Sequence, residues 1–387
     1  MSKVSDKALL PAGMCDVLPP DAEREASTTE QIIAHFLQSG YERVKPPLIE
    51  FEESLLSNGG GAMSGQTFRL MDPISQRMMG VRADMTLQIA RIATTRLKKM
   101  PRPIRLCYSG EVLRVRGNQM RPERQFGQVG SEIIGSHDPK ADAEVILMAI
   151  EALRSLGIKD LSVDLALPTL VPAIINNLDI DNETSVALRA ALDRKDEATI
   201  LSFSNKITKK TTEQLTALLR ATGPDKASLN QLNKLNFSEV AKLELSSLKK
   251  VHENVTNSIP DLKLTVDPIE SRGLEYHTGV TFTIFSKGVR GELGQGGRYL
   301  TGENEKINCE PATGITLFLD SLLRAMPTTD KKKRLYIPPD VEISQIRKYQ
   351  SQGWVTVAGF KTTDNAKIEA ERLLCSHILL DGSVQQV

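Results

Sequence analysis

One segment of the sequence combines the period of a β-strand with polar side chains on a single face: Arg124-Gln125-Phe126-Gly127-Gln128-Val129-Gly130-Ser131-Glu132. Alternate residues of a strand point to opposite faces, so Gln128, Gly130 and Glu132 share one face. The glycine leaves room for a small polar ligand. A glutamate can accept a hydrogen bond from an N–H group such as that of an imidazole, and a glutamine amide can donate and accept. A polar sheet face that binds nothing is the competing interpretation.

The regions on both sides of this segment predict a sheet packed against helices. Predicted strands are Tyr41–Glu50, Thr67–Asp72, Arg77–Val81, Ile104–Val115, Lys263–Asp267 and Gly279–Phe285. Predicted helices are Asp21–Ser39, Ala141–Leu156 and Gly314–Ala325. The early strands follow one another without intervening helices, which indicates antiparallel hairpins rather than alternating strand–helix units. The expected fold class is therefore α+β.

Composition divides the chain into a large core and a small C-terminal part. Residues 1–327 form the expected core, and within it about 170–258 is rich in helix-forming segments and poor in strand candidates. That stretch predicts a helical insertion. Residues 328–387 follow a charged linker, and their strand–helix–strand pattern predicts a compact α/β module.

The overall composition is that of an ordinary globular protein, and it argues against several classes of function. The 49 basic and 48 acidic residues give a net charge of +1, which lowers the expectation of a dedicated nucleic-acid binder. No apolar stretch reaches the ~20 residues that a membrane helix needs. Four scattered cysteines form no CxxC pair, so we expect reduced thiols, a cytoplasmic protein and neither a metal site nor a cofactor.

Two further segments carry residues suited to the ends of an amino acid. Asp84 and Thr86 follow a predicted strand two residues apart, so both would face one side and could bind an ammonium group. Arg272 offers the planar fork that suits a carboxylate, and glycines between Gly294 and Tyr299 allow close approach of the backbone. A solvated turn at Asp84 and a purely structural His277 are the alternative interpretations.

The order and spacing of these pieces resemble histidyl-tRNA synthetase, a class II aminoacyl-tRNA synthetase. The segments that carry this resemblance are Pro11–Pro19, Gly40–Glu50, Val81–Thr86, Arg114 with Arg124–Glu132, Arg272–Gly279, Gly296–Tyr299 and Gly314–Leu323. The resemblance covers about residues 8–325. It implies an antiparallel class II sheet flanked by helices, and a pocket for histidine.

The sequence departs from that family where nucleotide chemistry is expected. Motif 2 of the family reads Phe-Arg-x-Glu, but Arg116 takes the place of the glutamate that helps to hold ATP. Ser321 stands where motif 3 has an arginine that lies against ATP. Loss of a preorganised charged donor costs on the order of 3 kcal/mol of transition-state stabilisation, so two such changes argue against efficient adenylation. His277 replaces a tyrosine of the histidine signature, and Asp84 replaces a glutamate.

A second resemblance reconciles the retained pocket with these losses. The regulatory subunits of short-form ATP phosphoribosyltransferase resemble the synthetase core, lack the full anticodon domain and do not charge tRNA. The histidine-binding residues implied by the resemblance are Asp84, Thr86 and Gln128 at the ammonium group, Arg114 and Arg272 at the carboxylate, and Glu132 and His277 at the imidazole.

This second resemblance implies a non-catalytic subunit that assembles with a separate catalytic subunit and pairs with itself inside a hetero-oligomer. L-Histidine would be its effector, in the first step of histidine biosynthesis. It implies no contact with tRNA or with a membrane. A divergent histidyl-tRNA synthetase and a free-standing amino-acid sensor are the alternatives.

Overall fold

The structure is a computed structural model that describes residues 9–56, 61–117, 121–176, 178–270, 277–302, 309–328, 333–363 and 365–387. It divides the chain into two compact units, Met1–Met326 and Pro327–Val387, and each is described by itself. Among the described residues, no helix is both long and apolar enough to cross a lipid bilayer.

A nine-stranded mixed sheet forms the centre of the large unit, as far as the described residues show. Its strands are β1 (Glu42–Arg43), β5 (Ile104–Leu113), β6 (Gln125–Ile134), β7 (Leu161–Ala166), β8 (Gly223–Pro224), β9 (Lys263–Asp267), β10 (His277–Ser286), β11 (Gly294–Leu300) and β12 (Pro311–Phe318). Their order is β1-β5-β6-β12-β11-β10-β7-β9-β8, and all neighbours are antiparallel except β1–β5 and β7–β9. A small antiparallel sheet is formed by β2 (Ile49–Phe51), β3 (Phe68–Met71) and β4 (Met78–Val81).

Helices cover both faces of the large sheet. They are α1 (Asp21–Gln38), α2 (Glu52–Leu55), α3 (Gly61–Ser64), α4 (Thr86–Thr95), α5 (Pro139–Ser155), α6 (Leu170–Ile175), α7 (Asn182–Asp193), α8 (Glu197–Ser202), α9 (Lys209–Arg220), α10 (Asp225–Leu232), α11 (Glu239–Ser258) and α12 (Leu319–Ala325). The α+β class and the helical insertion predicted from the sequence are confirmed, because helices α6 to α11 dominate that stretch.

The two faces of the sheet bury different cores, and β6 contributes to both. Val129 and Ile133 pack with residues of α1 and α5 in the larger apolar cluster. Phe126 and Ile134 point the other way, toward a smaller cluster that includes Met85 of the loop before α4. Gln128 and Glu132 lie on the same face of β6 as Phe126 and Ile134. The polar face predicted for the strand therefore lies toward α4.

The small unit is an α/β module, as predicted. Its four-stranded sheet has the order β14-β13-β15-β16, with only the last pair antiparallel. The elements are β13 (Arg334–Ile337), α13 (Ile343–Ser351), β14 (Val355–Ala358), α14 (Ala366–Arg372), β15 (His377–Leu380) and β16 (Ser383–Gln386). Sequence reasoning missed α13, a short helix whose residues are all partly exposed and which places Ile346 and Tyr349 against the sheet.

Three local predictions were wrong. Tyr41–Glu50 is not one strand: β1 and β2 are separated at Pro46-Pro47, where the ring nitrogens have no N–H for a ladder. Helix α12 begins at Leu319 rather than Gly314, because Gly314–Phe318 completes strand β12 between β6 and β11. Strand β4 ends at Val81 and Thr86 begins α4, so strand alternation does not relate Thr86 to Asp84.

Candidate amino-acid-binding site

The centre of the site is the side chain of Glu132, which is almost completely buried in the middle of β6. Its partner across the ladder is Gly314 of β12. A Cβ atom on residue 314 would collide with the Glu132 carboxyl group, so only glycine leaves that space free. Gly130 similarly leaves space for the Tyr108 ring beside the same carboxyl group. The register of three strands therefore creates a chamber for one buried acid.

Two tyrosines hold the Glu132 carboxyl group. The Tyr108 hydroxyl donates to Oε1 at 3.2 Å and the Tyr299 hydroxyl donates to Oε2 at 3.0 Å. Tyr108 also lies within 3.0 Å of Thr316 Oγ1 and 3.4 Å of Thr86 Oγ1. Burial raises the pKa of Glu132 to about 8, although the Tyr299 hydrogen bond acts in the opposite direction. At neutral pH the acid is therefore mostly protonated until a group enters that favours its ionised form.

Asp84 is fixed by groups around it. Its Oδ1 accepts from the Thr86 backbone N–H at 2.9 Å, and its Oδ2 accepts from Gln128 Nε2 at 2.9 Å. The other end of the Gln128 amide accepts from the Met85 backbone N–H at 3.2 Å. Gln128 is fully buried and uses both ends of its amide within the protein. In this arrangement Gln128 orients Asp84, and Asp84 faces the cavity.

Arg114 lies behind Asp84. Its Nε donates to the Ala83 carbonyl at 3.2 Å. Burial lowers the pKa of Arg114, and the nearby Asp84 carboxylate partly opposes that effect. The guanidinium is thus a half-buried cation next to the acid assigned to the ammonium group. Arg272, the other residue predicted to bind a carboxylate, lies outside the described residues.

A small polar cavity joins these groups. It is lined by Asp84, Thr86, Glu132, His277, Gln295, Gly296, Gly297, Tyr299, Gly314, Ile315 and Thr316. Its volume is about 20 Å³, which is too small for an amino acid, so side chains must move before one fits. Four predicted residues line it, namely Asp84, Thr86, Glu132 and His277, while Gln128 and Arg114 lie behind the lining.

Sequence reasoning missed several contributors to this cavity. Tyr299 stood in a glycine-rich segment that was noted only for its backbone, although it pairs with His277 across β10 and β11. Tyr108 occupies a position in the alternating pattern of β5 that is typical of an aromatic residue in the apolar core. Thr316 and Gly314 were assigned to a helix. Correct strand register was the missing information in each case.

A larger groove lies elsewhere on the large unit. It has a volume of about 680 Å³ and runs between the C-terminal ends of α1 and α11 and helix α5. The Arg105–Glu144 ion pair, with Nε and Oε1 2.7 Å apart, lines this groove. Its charged groups already compensate one another and it is open to solvent. The smaller cavity is the better candidate because buried polar groups converge on it. No group of three metal-ligating side chains occurs among the residues that the structure describes.

The two positions predicted to have lost nucleotide chemistry differ in their surroundings. Arg116 is exposed, and its backbone N–H donates to Gln66 Oε1 at 3.3 Å. Ser321 is fully buried, and its hydroxyl accepts from Arg121 Nη2 at 3.2 Å and from Arg324 Nη2 at 3.1 Å. Arg121, which the sequence did not single out, is thus the cation that contacts the position where the related synthetases have arginine.

Comparison with known proteins gives a consistent family. The model of the histidyl-tRNA synthetase family matches residues 13–322. An ATP phosphoribosyltransferase regulatory subunit of Paramagnetospirillum magneticum is 51% identical over 386 residues, with 100% of both chains covered. The protein of the same description from Rhodospirillum centenum is 47% identical and covers 98% of this chain and 96% of its own.

Solved structures share the fold. One, described as an ATP phosphoribosyltransferase regulatory subunit/histidyl-tRNA synthetase from Bacillus halodurans, has a TM-score of 0.80 at 24% identity, covering 96% of this chain and 97% of its own. A chain of an ATP phosphoribosyl transferase (HisG:HisZ) complex from Thermotoga maritima has a TM-score of 0.58 at 16% identity, covering 76% and 97%. At these identities the likeness concerns the fold alone.

Proposed function

The chain belongs to the family of ATP phosphoribosyltransferase regulatory subunits, built on the fold of histidyl-tRNA synthetase, and we propose that it is a non-catalytic subunit that senses L-histidine. In this role a separate catalytic subunit joins ATP to phosphoribosyl pyrophosphate, the first step of histidine biosynthesis. The present chain activates that subunit and transmits feedback inhibition. The Thermotoga maritima complex, in which a chain of related fold belongs to an ATP phosphoribosyl transferase, supports such a partnership.

The observation that carries this proposal is the buried Glu132 with a tyrosine hydroxyl on each oxygen. A carboxyl group held in this way can accept a hydrogen bond from the N–H of a basic ring, and that contact favours its ionised form. Asp84 lies in the same cavity and offers a carboxylate to an ammonium group. The cavity therefore suits an amino acid whose side chain carries a hydrogen-bonding ring.

In the proposed complex the side chains around the cavity move to admit L-histidine, which then binds in one orientation. Its ammonium group binds Asp84 and Thr86, and its imidazole lies between Glu132 and His277. Its carboxylate points toward Arg114, with Arg272 as a further ligand by resemblance. Gln128 acts through Asp84. Inhibition requires that histidine bind one conformation of the complex more tightly than another, and a coupling of about 1–3 kcal/mol is ordinary for such regulation.

Catalysis by this chain alone is the main competing function. Arg116 and Ser321 replace residues that the related synthetases use toward ATP; the Arg116 side chain is exposed, and the Ser321 hydroxyl is bonded to Arg121. We therefore expect no histidine-dependent pyrophosphate–ATP exchange by the purified chain. Robust exchange would favour a divergent synthetase instead.

The decisive experiment is reconstitution with the short-form catalytic subunit of the same organism. We expect the two chains to co-purify as a hetero-oligomer, with this chain paired with itself. Phosphoribosyl transfer should rise when the chain is added and fall when L-histidine is added. Glu132→Ala should assemble and activate but resist inhibition by histidine.

A control is Asp164→Asn, which alters a half-buried carboxyl group of the same sheet, bonded to Thr265 and away from the cavity. It should keep normal inhibition. Failure of the chains to associate, or inhibition of Glu132→Ala at the same histidine concentration as wild type, would refute the proposal.

A further inference from the structure

We propose that Arg121 is a specificity residue that blocks the space beyond the carboxylate end of the amino-acid site. The site would then accept only amino acids with a free carboxylate and exclude those extended by an ester, amide or anhydride group. This inference rests on the function proposed above. It assigns a ligand class to the same site and a task to a residue outside the cavity lining.

The Arg121 guanidinium is buried against two aromatic rings. Its side chain is only 4% exposed. The central carbon lies 3.8 Å from the centroid of the Phe318 ring and 4.9 Å from that of Phe126. The two rings meet edge to face, with centroids 6.0 Å apart. A flat cation over aromatic faces is a favourable and well-packed arrangement, so the volume next to these rings is filled.

Polar contacts fix the same guanidinium from its edges. Nε donates to Asp320 Oδ2 at 3.1 Å, and Nη2 donates to Ser321 Oγ at 3.2 Å. Nη2 also lies 3.4 Å from Glu292 Oε1. Displacement of Arg121 would take the buried cation away from two half-buried acids, Asp320 and Glu292, and would therefore be costly. The side chain is therefore a stable occupant of this space.

The space that Arg121 fills adjoins the carboxylate end of the proposed site. Arg114 donates to the carbonyl next to Asp84, and its guanidinium carbon lies 5.1 Å from the centroid of the same Phe126 ring. Arg114 and Arg121 thus share one ring, and the charge of Arg121 is felt at Arg114. A ligand with its ammonium group at Asp84 and its carboxylate at Arg114 would direct any substituent on that carboxylate toward Arg121.

This geometry predicts recognition by size at the carboxylate. A free carboxylate ends at Arg114 and benefits from the two nearby cations. A larger group would have to enter the space between Phe126 and Phe318 and expel Arg121. Small residues elsewhere in the site do not change this limit on the size of the ligand. The group that blocks the space is a buried, ion-paired arginine and not a surface side chain.

Calorimetry with two ligands tests the inference. L-Histidine is compared with 5′-O-(L-histidylsulfamoyl)adenosine, which keeps a negative charge beside the carbonyl and adds a bulky group. Wild-type protein should bind L-histidine and show no measurable binding of the sulfamoyl compound. Arg121→Ala should gain binding of the sulfamoyl compound while its affinity for L-histidine stays within about tenfold of wild type.

Two variants separate bulk from charge: Arg121→Met loses the same ion pairs as Arg121→Ala, and retained binding of L-histidine by both would show that both are folded. Arg121→Met keeps most of the volume between the rings and should still exclude the sulfamoyl compound. Arg324→Ala removes the other cation bonded to Asp320, leaves Arg121 in place and should behave as wild type. Equal binding of both ligands by wild type would overturn the inference and leave histidine sensing intact. Absence of L-histidine binding by wild type would overturn the proposed function and the inference with it.

Discussion

Two acids of the large unit, the buried Glu132 and the half-buried Asp320, have opposite surroundings. Both oxygens of Glu132 accept from uncharged tyrosine hydroxyls, and among the described residues no lysine or arginine pairs with it. Asp320 is bonded to two arginines, Arg121 at 3.1 Å and Arg324 at 3.0 Å. An acid whose charge is compensated within the fold stabilises that fold. An acid left with neutral donors is ready for a ligand that brings the missing positive or N–H group.

The largest effect expected from this comparison is a loss of folding stability when Asp320 loses its buried arginine partner. Arg121→Ala should lower the free energy of unfolding by about 3 kcal/mol, the low end for a broken buried ion pair. The half-buried Glu292 loses this partner, and Asp320 keeps only the exposed Arg324. Arg324→Ala should cost no more than about 1 kcal/mol, since that side chain is 41% exposed. Urea unfolding of both variants measures the difference. Equal losses would mean that Asp320 is not compensated mainly by Arg121.

The next largest effect concerns ligand binding in the cavity that contains Glu132 and Asp84. Asp84→Asn removes the charge that faces the ammonium group, and L-histidine should bind about 2–3 kcal/mol more weakly. The Gln128 amide can still bond to the new amide, so the fold should be preserved. Calorimetric titration compares this variant with Asp164→Asn. An unchanged dissociation constant for Asp84→Asn would place the ammonium group elsewhere.

A smaller effect should follow when the chamber around Glu132 is narrowed. Gly314→Ala places a methyl group against the Glu132 carboxyl group, and overpacking of this kind costs about 1–3 kcal/mol. Histidine affinity should fall as well, because the acid must shift. The control is Gly65→Ala, where an added Cβ meets no atom within 4 Å. Thermal unfolding of the pair gives the answer, and equal melting temperatures would contradict the predicted crowding.

The mildest test uses pH. The folded-state pKa of Glu132 is raised to about 8 by burial, so the native state retains a proton that the unfolded chain releases near its ordinary value of 4.5. The stability contributed by that proton is complete below about pH 4.5 and is lost as pH rises to about 8. From pH 6 to pH 7 the loss should be about 1 kcal/mol.

Glu132→Gln should remove this part of the pH dependence, since glutamine does not titrate. The two proteins are compared by urea unfolding at pH 6, 7 and 8 in buffers of equal ionic strength. Identical slopes for the variant and the wild type would show that Glu132 is already ionised in the native protein.

The sequence predicted the fold well because strand alternation and helix ends are local signals. The parity of Gln128 and Glu132 in β6 followed from their spacing alone, and the family resemblance gave the chemistry expected of them. Asp84 and Thr86 meet in the cavity for a different reason than predicted, because a turn into α4 brings them together rather than one strand face.

What sequence reasoning missed depends on contacts between distant segments. Tyr108 reaches Glu132 only because β5 pairs with β6 in the register that sets Tyr108 opposite Gly130. Arg121 lies in a connection without periodicity, and its partners Phe318 and Asp320 come nearly two hundred residues later in the chain, a separation of 199 for Asp320. No local pattern marks such a residue as buried.

The pairing of Glu132 with Gly314 has a consequence for how ligand preference can be changed in this fold. Positions 132 and 314 share one volume, so neither can be redesigned alone. A shorter acid at 132 would make room for alanine at 314, whereas a longer side chain at 132 has nowhere to extend. Selection for a different ligand ring would have to alter both strands in concert, and a library that randomises only one of the two positions would sample almost entirely misfolded or empty pockets.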